Sequence, residues 1–173
     1  YKNDKTFGSL IKVSETDTDF LEEKFNEIKE NPVTDIFQEE KRQQALELLP
    51  LLIKQTKIMR KQYDIVVMNP PYMGSGNMNK ELSDFLKINS PDSKSDLFAS
   101  FMEVDHYLKE NGFYAAINQH AWMFIASFER LREKVINNKF IDTMLHLGPR
   151  TFEEIGGEVV QSTTFVLRNI KIA

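Results

Sequence analysis

A chain of 173 residues is long enough to bury the core of a domain, and its 41% hydrophobic and 28% charged residues are ordinary for a globular protein. The formal net charge of −4 is not segregated along the chain, which argues against a surface that grips phosphates by overall charge. Cysteine is absent, so disulfides and thiolate metal sites are excluded, and His106, His120 and His146 are spaced too widely to predict a zinc site.

No leader-like segment occurs, and no apolar run approaches the roughly 18 residues of a membrane span. The reading is a cytoplasmic protein with no membrane partner and no metal. Tyr1 in place of Met predicts a piece of a longer protein.

Residues 1–62 read as a helical lead-in with a short strand at Gly8 to Val13. Thr18 or Asp19 is the predicted cap of a helix to about Lys29, with Phe20, Leu21, Phe25 and Ile28 on its apolar face. Asn31-Pro32 breaks it. A second helical region follows from about Thr34, and Pro50 is expected to kink or split it. Neither region carries recognisable chemistry.

Ile65-Val66-Val67-Met68 is a short, partly β-branched apolar run, the pattern of a strand buried on both faces. It stops at Asn69-Pro70-Pro71-Tyr72. Neither proline has an N–H for a ladder, so the chain leaves the sheet as a stiff loop beyond the strand's carboxyl end. Open α/β sheets bind ligands there. An aromatic exocyclic amine, such as that of adenine, is a poor nucleophile because its lone pair is delocalised into the ring. Two acceptors that hold both amino hydrogens favour a tetrahedral nitrogen with a free lone pair. The Asn69 side-chain oxygen and the Pro70 carbonyl can be those acceptors. Pro71 adds rigidity, and Tyr72 offers a face for a flipped base.

Met73 to Asn79 has no hydrophobic pattern and reads as a mobile lid beside the site. Glu81 to Ile88 reads as a short helix, and Asn89 to Ser93 as a turn. Ser95 or Asp96 caps a predicted helix to about Glu110, stopped by Asn111-Gly112. Phe113 to Asn118 is the next buried strand, Ser127 to Asn137 a helix, Phe140 to Leu147 a strand, Phe152 to Gly157 a loop and Glu158 to Arg168 a final strand. From 63 to 173 this order predicts an α/β fold: the back half of a doubly wound, Rossmann-like sheet with an antiparallel edge strand.

The tetrapeptide resembles the Asn-Pro-Pro-Tyr motif of amino-methyltransferases that use S-adenosyl-L-methionine. Ser95-Asp96-Leu97-Phe98-Ala99-Ser100-Phe101 is similar to the Asp-Leu-Phe/Tyr segment of adenine-specific (N6) DNA methyltransferases. Gly112 to Ile117 and Ala121-Trp122 resemble the next family strand and its loop. Phe152 to Leu167 resembles the tail of the large methyltransferases of BREX-type phage-defence systems, which are similar to combined restriction–modification enzymes. The resemblance covers residues 60–169 well.

By family pattern, Asn69 in place of Ser implies adenine N6 over cytosine N4. The resemblance also implies Phe98 near the cofactor's adenine ring and Trp122 at the border of the base pocket. Plain packing is the competing reading for both. His120 reads as a partly exposed loop histidine, Asp64 as a surface or capping residue, and no general base is required. The family's glycine-rich cofactor loop is expected upstream of Tyr1, and its DNA-recognition region downstream of Ala173. The 173 residues are therefore expected to be inactive alone. The bare edge at residues 65–68 is expected to be covered by Leu10 to Val13 or by a second copy in a homodimer. DNA and subunits of a defence complex are the implied partners. Alternatives are a methyltransferase acting on a glutamine amide of release factors, and a non-catalytic DNA-binding or assembly module.

Overall fold

The computed structural model describes residues 4–148 and 161–170. Residues 11–61 form one compact unit, and the rest of the chain forms another. No helix among the described residues is long and apolar enough to cross a membrane.

The smaller unit is a pair of helices, α2 (Glu15–Glu30) and α3 (Ile36–Arg60). The cap of α2 is Ser14 and not Thr18 or Asp19. Ser14 Oγ accepts from the Asp17 amide at 3.2 Å, and the Asp17 carboxylate accepts from the Ser14 amide at 2.9 Å. This reciprocal box satisfies two otherwise orphaned amides. Thr18 is buried within the helix instead. Asp35 caps α3, accepting from the Phe37 amide at 2.9 Å. The helix runs through Pro50 without the expected split. A proline in a helix interior costs about 3 kcal/mol. Packing on α2 offsets that loss: Arg42 donates to the Ile28 and Lys29 carbonyls at 3.0 and 3.1 Å, satisfying the end of α2, and Lys57 pairs with Glu22.

The larger unit begins with α1 (Asp4–Phe7) and a 3-10 turn at Gly8–Leu10, not with a strand. Gly8 has φ of +51°, which interrupts an extended run. The turn is held by Phe7 stacked on Phe85 at 4.2 Å and by the Tyr107 hydroxyl donating to the Ser9 carbonyl at 2.9 Å.

Four strands follow: β1 (Tyr63–Met68), β2 (Leu108–Gln119), β3 (Phe140–Gly148) and β4 (Ser162–Arg168). Their spatial order is β1-β2-β4-β3. β1 and β2 are parallel, with Val66 opposite Tyr114 and Met68 opposite Ala116. β4 is antiparallel to both β2 and β3. The antiparallel strand expected at an edge is thus inserted between two neighbours, and β1 and β3 are the edges. Strand periodicity reports which face is buried, not which strand sits beside which.

Helices α4 (Lys80–Asn89), α5 (Leu97–Ser100) and α6 (Glu129–Asn138) complete the unit. The helix predicted from 96 to 110 is only α5, followed by two 3-10 turns, and β2 already begins at Leu108. Asn111-Gly112 does not stop a helix. Asn111 adopts φ of +62° within β2. A Cβ on Gly112 would lie 3.0 to 3.2 Å from the carbonyls of Lys109, Asp64 and Tyr63, so glycine permits the close approach to β1.

One sheet face forms the core. Tyr114, Ala116, Phe165 and Leu167 are buried there, with Trp122 edge-on to Phe165 at 5.3 Å and the Tyr114 hydroxyl donating to the Phe101 carbonyl at 3.2 Å. On the other face, Ile65 and Val67 are 63% and 72% exposed. Leu10 to Val13 contains no strand, and among the described residues no strand pairs with the outer edge of β1. Residues 152–157, including Gly156-Gly157, and 158–160 of the expected last strand lie outside the described residues.

Candidate active site

The site is built at the carboxyl end of β1. Asn69 is exposed, Pro70 buried, Pro71 exposed and Tyr72 half-buried. The tetrapeptide is braced from two sides. The Tyr72 hydroxyl donates to the Ile117 carbonyl of β2 at 3.1 Å, and its ring meets Phe98 edge-on at 5.8 Å and 78°. Burial, helped by the Asp96 carboxylate, raises the Tyr72 hydroxyl above the usual phenol range, so it remains a donor.

Asp96 is the second brace. One carboxylate oxygen caps α5 by accepting from the Phe98 amide at 3.3 Å and also accepts from the Met73 amide at 3.0 Å. The Leu97 amide donates to the Met73 carbonyl at 3.0 Å, and the Ser75 amide to the Ser95 carbonyl at 2.9 Å. Gly74 and Asp96 form a β-bridge. The segment read as a mobile lid is therefore stitched to residues 95–97 and continues in a 3-10 turn at Ser75–Asn77. Sequence reading saw Asp96 as a cap but had no signal for its bond to Met73, 23 residues away.

Burial pushes the Asp96 carboxyl up, and the amides that it accepts from oppose this. The folded form then binds the proton more readily than the unfolded chain. The associated stability is present below the ordinary carboxylate range and is lost as pH rises through the raised value. Asp96→Asn keeps a capping oxygen and removes the disfavoured charge. At neutral pH it should melt at or above the parent's temperature, and the gap should shrink on acidification into the carboxylate range. Thermal unfolding across pH checks this: a variant less stable at neutral pH would show that the charge itself holds the loop.

Phe98 is 0% exposed, between Tyr72 and Phe128, whose ring centre lies 5.7 Å away. It has no free face for a cofactor ring, so the cofactor role implied for it becomes support of Tyr72. Trp122 is 3% exposed against Phe165 and presents no open wall to a base pocket. Both aromatics went to the core because residues around them bury the same sheet face. Asp64 pairs with Lys109 at 2.9 Å on the surface and stands apart from the loop. His120 and His146, distant in sequence, meet with Nδ1 and Nε2 3.0 Å apart. No cluster of three metal-ligating side chains occurs among the described residues.

Sequence reasoning also missed Asn118. It is 0% exposed at the carboxyl end of β2, and neither amide atom has a hydrogen-bond partner. It lies two residues beyond Ala116, the partner of Met68, and therefore beside the start of the Asn69–Tyr72 loop. Leaving such a group unpaired costs about 1–3 kcal/mol. The sequence reads Phe113 to Asn118 as one buried strand, which carries no signal of a partnerless polar group.

An Asn-Pro-Pro-Tyr loop at the carboxyl end of a parallel strand is the arrangement expected of an amino-methyltransferase site. Residues 4–152 match the Eco57I restriction-modification methylase family, and the chain belongs to it. It is 46% identical over 170 residues to the adenine-specific methyltransferase BrxX of Escherichia coli O9:H4 (strain HS), covering 95% of this chain and 14% of that protein. It is 55% identical over 122 residues to the adenine-specific methyltransferase PglX of Lacticaseibacillus casei (strain Zhang), covering 70% of this chain and 10% of that protein. The chain thus spans a small part of these relatives' length. A solved Listeria monocytogenes protein, described as a class I S-adenosylmethionine-dependent methyltransferase, overlaps 74% of this chain and 42% of its own at 13% identity and a TM-score of 0.47.

Proposed function

We propose that this chain is the amine-holding part of an enzyme that transfers a methyl group from S-adenosyl-L-methionine to adenine N6 in DNA, in phage defence or restriction–modification. The observation that carries this reading is the Asn69–Tyr72 loop, braced by Ile117 and Asp96. Adenine is favoured by the Asn at position 69 and by the adenine-specific activity named for both relatives.

The exposed loop at Asn69 suits the amine side of the reaction. Phe98 and Trp122 are buried, so neither offers an open face to a cofactor ring. S-adenosyl-L-methionine supplies the methyl group when bound. The chain's own residues hold the amine. Asn69 Oδ1 and the Pro70 carbonyl accept its two hydrogens, Tyr72 stacks on the extruded base, and the proton leaves to water once the nitrogen is alkylated.

The test is methyl incorporation by an enzyme of the relatives' full length that carries this chain. Digested DNA should contain N6-methyladenine. Methyl transfer to a release-factor glutamine amide with none to DNA would overturn the reading, as would no transfer to either substrate.

Tyr72 separates ring from hydroxyl. Tyr72→Ala should weaken DNA binding by roughly 1–3 kcal/mol through lost stacking. Tyr72→Phe keeps the ring but frees it from Ile117, an expected cost of about 0.5–1.5 kcal/mol. DNA affinity and single-turnover rate measure both. Equal damage from the two changes would assign the work to the hydroxyl.

A further inference from the structure

We infer that a cavity next to the catalytic loop seats a backbone phosphodiester of the DNA strand that delivers the target base. The inference rests on the DNA reading above.

The cavity has a volume of about 390 Å³ and is lined by Ser75, Gly76, Ser83, Lys87, Lys94 and Ser95. That lining holds two lysines, three hydroxyls and no carboxylate, in a chain whose net charge is −4. Two ammonium groups converging on one hollow concentrate positive potential there. Lys87 shares its charge with Asp84 at 2.8 Å. Lys94 is exposed and has no ion pair among the described residues. Serine hydroxyls and lysine ammonium groups are the donors that protein–DNA contacts use on phosphate oxygens.

Position adds an independent argument. Ser75 and Gly76 follow Tyr72 closely, and the Ser75 amide is bonded to the Ser95 carbonyl at 2.9 Å. The next residue, Asp96, holds Met73. One hydrogen-bonded strip therefore joins two lining residues of the cavity, Ser75 and Ser95, to the anchor of the loop proposed to hold the amine. A phosphate gripped there is set in register with Asn69. A Cβ at Gly76 would meet nothing within 4 Å, so the rim is open to an incoming strand.

The phosphate term in DNA affinity is read by its salt dependence. Each lost phosphate contact lowers the slope of log affinity against log salt by about 0.9 for a duplex or 0.7 for a single strand. In the full-length enzyme, Lys94→Ala should lower that slope by about one contact, and Lys87→Ala/Lys94→Ala by up to two. The loss should be similar on specific and unrelated sequences. Lys94→Arg should restore it. Cofactor affinity and melting temperature should stay near the parent's. Inorganic phosphate at matched ionic strength should compete with DNA for the parent more than for the double variant. An unchanged salt slope in a folded double variant would overturn the phosphate site while leaving DNA methylation intact. A loss confined to cofactor affinity would reassign the cavity and likewise overturn it. If the enzyme methylates protein and not DNA, the reading beneath it fails instead.

Discussion

Replacing Asn69 by alanine should lower single-turnover methylation of DNA by about 10²–10³-fold, the scale for losing one preorganised group that stabilises a transition state. The amine becomes a nucleophile only when its lone pair is withdrawn from the ring, and in the proposed reaction Asn69 Oδ1 is one of two acceptors that do this. The other, the Pro70 carbonyl, sits on a buried residue in a loop fixed from both sides and cannot swing to replace it. Asn69 is exposed at the loop's mouth, so truncation should leave folding intact. Cofactor affinity should remain within about tenfold, or roughly 1.4 kcal/mol. Quenched-flow measurement with saturating cofactor reads the chemical step directly. Turnover near the parent's would remove Asn69 from the chemistry.

Phe98→Ala should have the largest effect on stability. The ring is 0% exposed, so its removal leaves a cavity between Tyr72 and Phe128. Large aromatic-to-alanine changes in a core cost about 3–5 kcal/mol. Chemical denaturation of the full-length enzyme should show this loss. Methylation should fall as well, because the Tyr72 ring loses the edge that it rests on. Phe98→Leu should recover most of the stability. A cofactor contact would behave differently: affinity for S-adenosyl-L-methionine would drop while the denaturation midpoint held.

The sequence alone determined the elements whose causes are local. An apolar β-branched run ending in two prolines can only be a strand that stops, and β1 ends where Asn69 begins. Apolar spacing at Leu131 and Val135 placed α6 within two residues of its observed start. The apolar run from Phe113 reads as a buried strand, and β2 contains it. The tetrapeptide Asn69–Tyr72 belongs to this class, because its residues are contiguous and the chemistry proposed for it is carried by their own groups.

The tertiary structure decided everything that depends on partners far along the chain. Phe98 and Trp122 look alike as core or as ligand contacts until the strands beneath them are ordered, and β4, entering between β2 and β3, brings Phe165 under Trp122. The run from Leu97 to Glu110 has a helical pattern, but Tyr107 and Leu108 are buried in the approach to β2 and only α5 remains. Met73 to Asn79 has no hydrophobic period, which the sequence expresses as mobility. Its order comes from backbone amides and carbonyls paired with residues 95–97, and a backbone pairing leaves no mark on side-chain pattern.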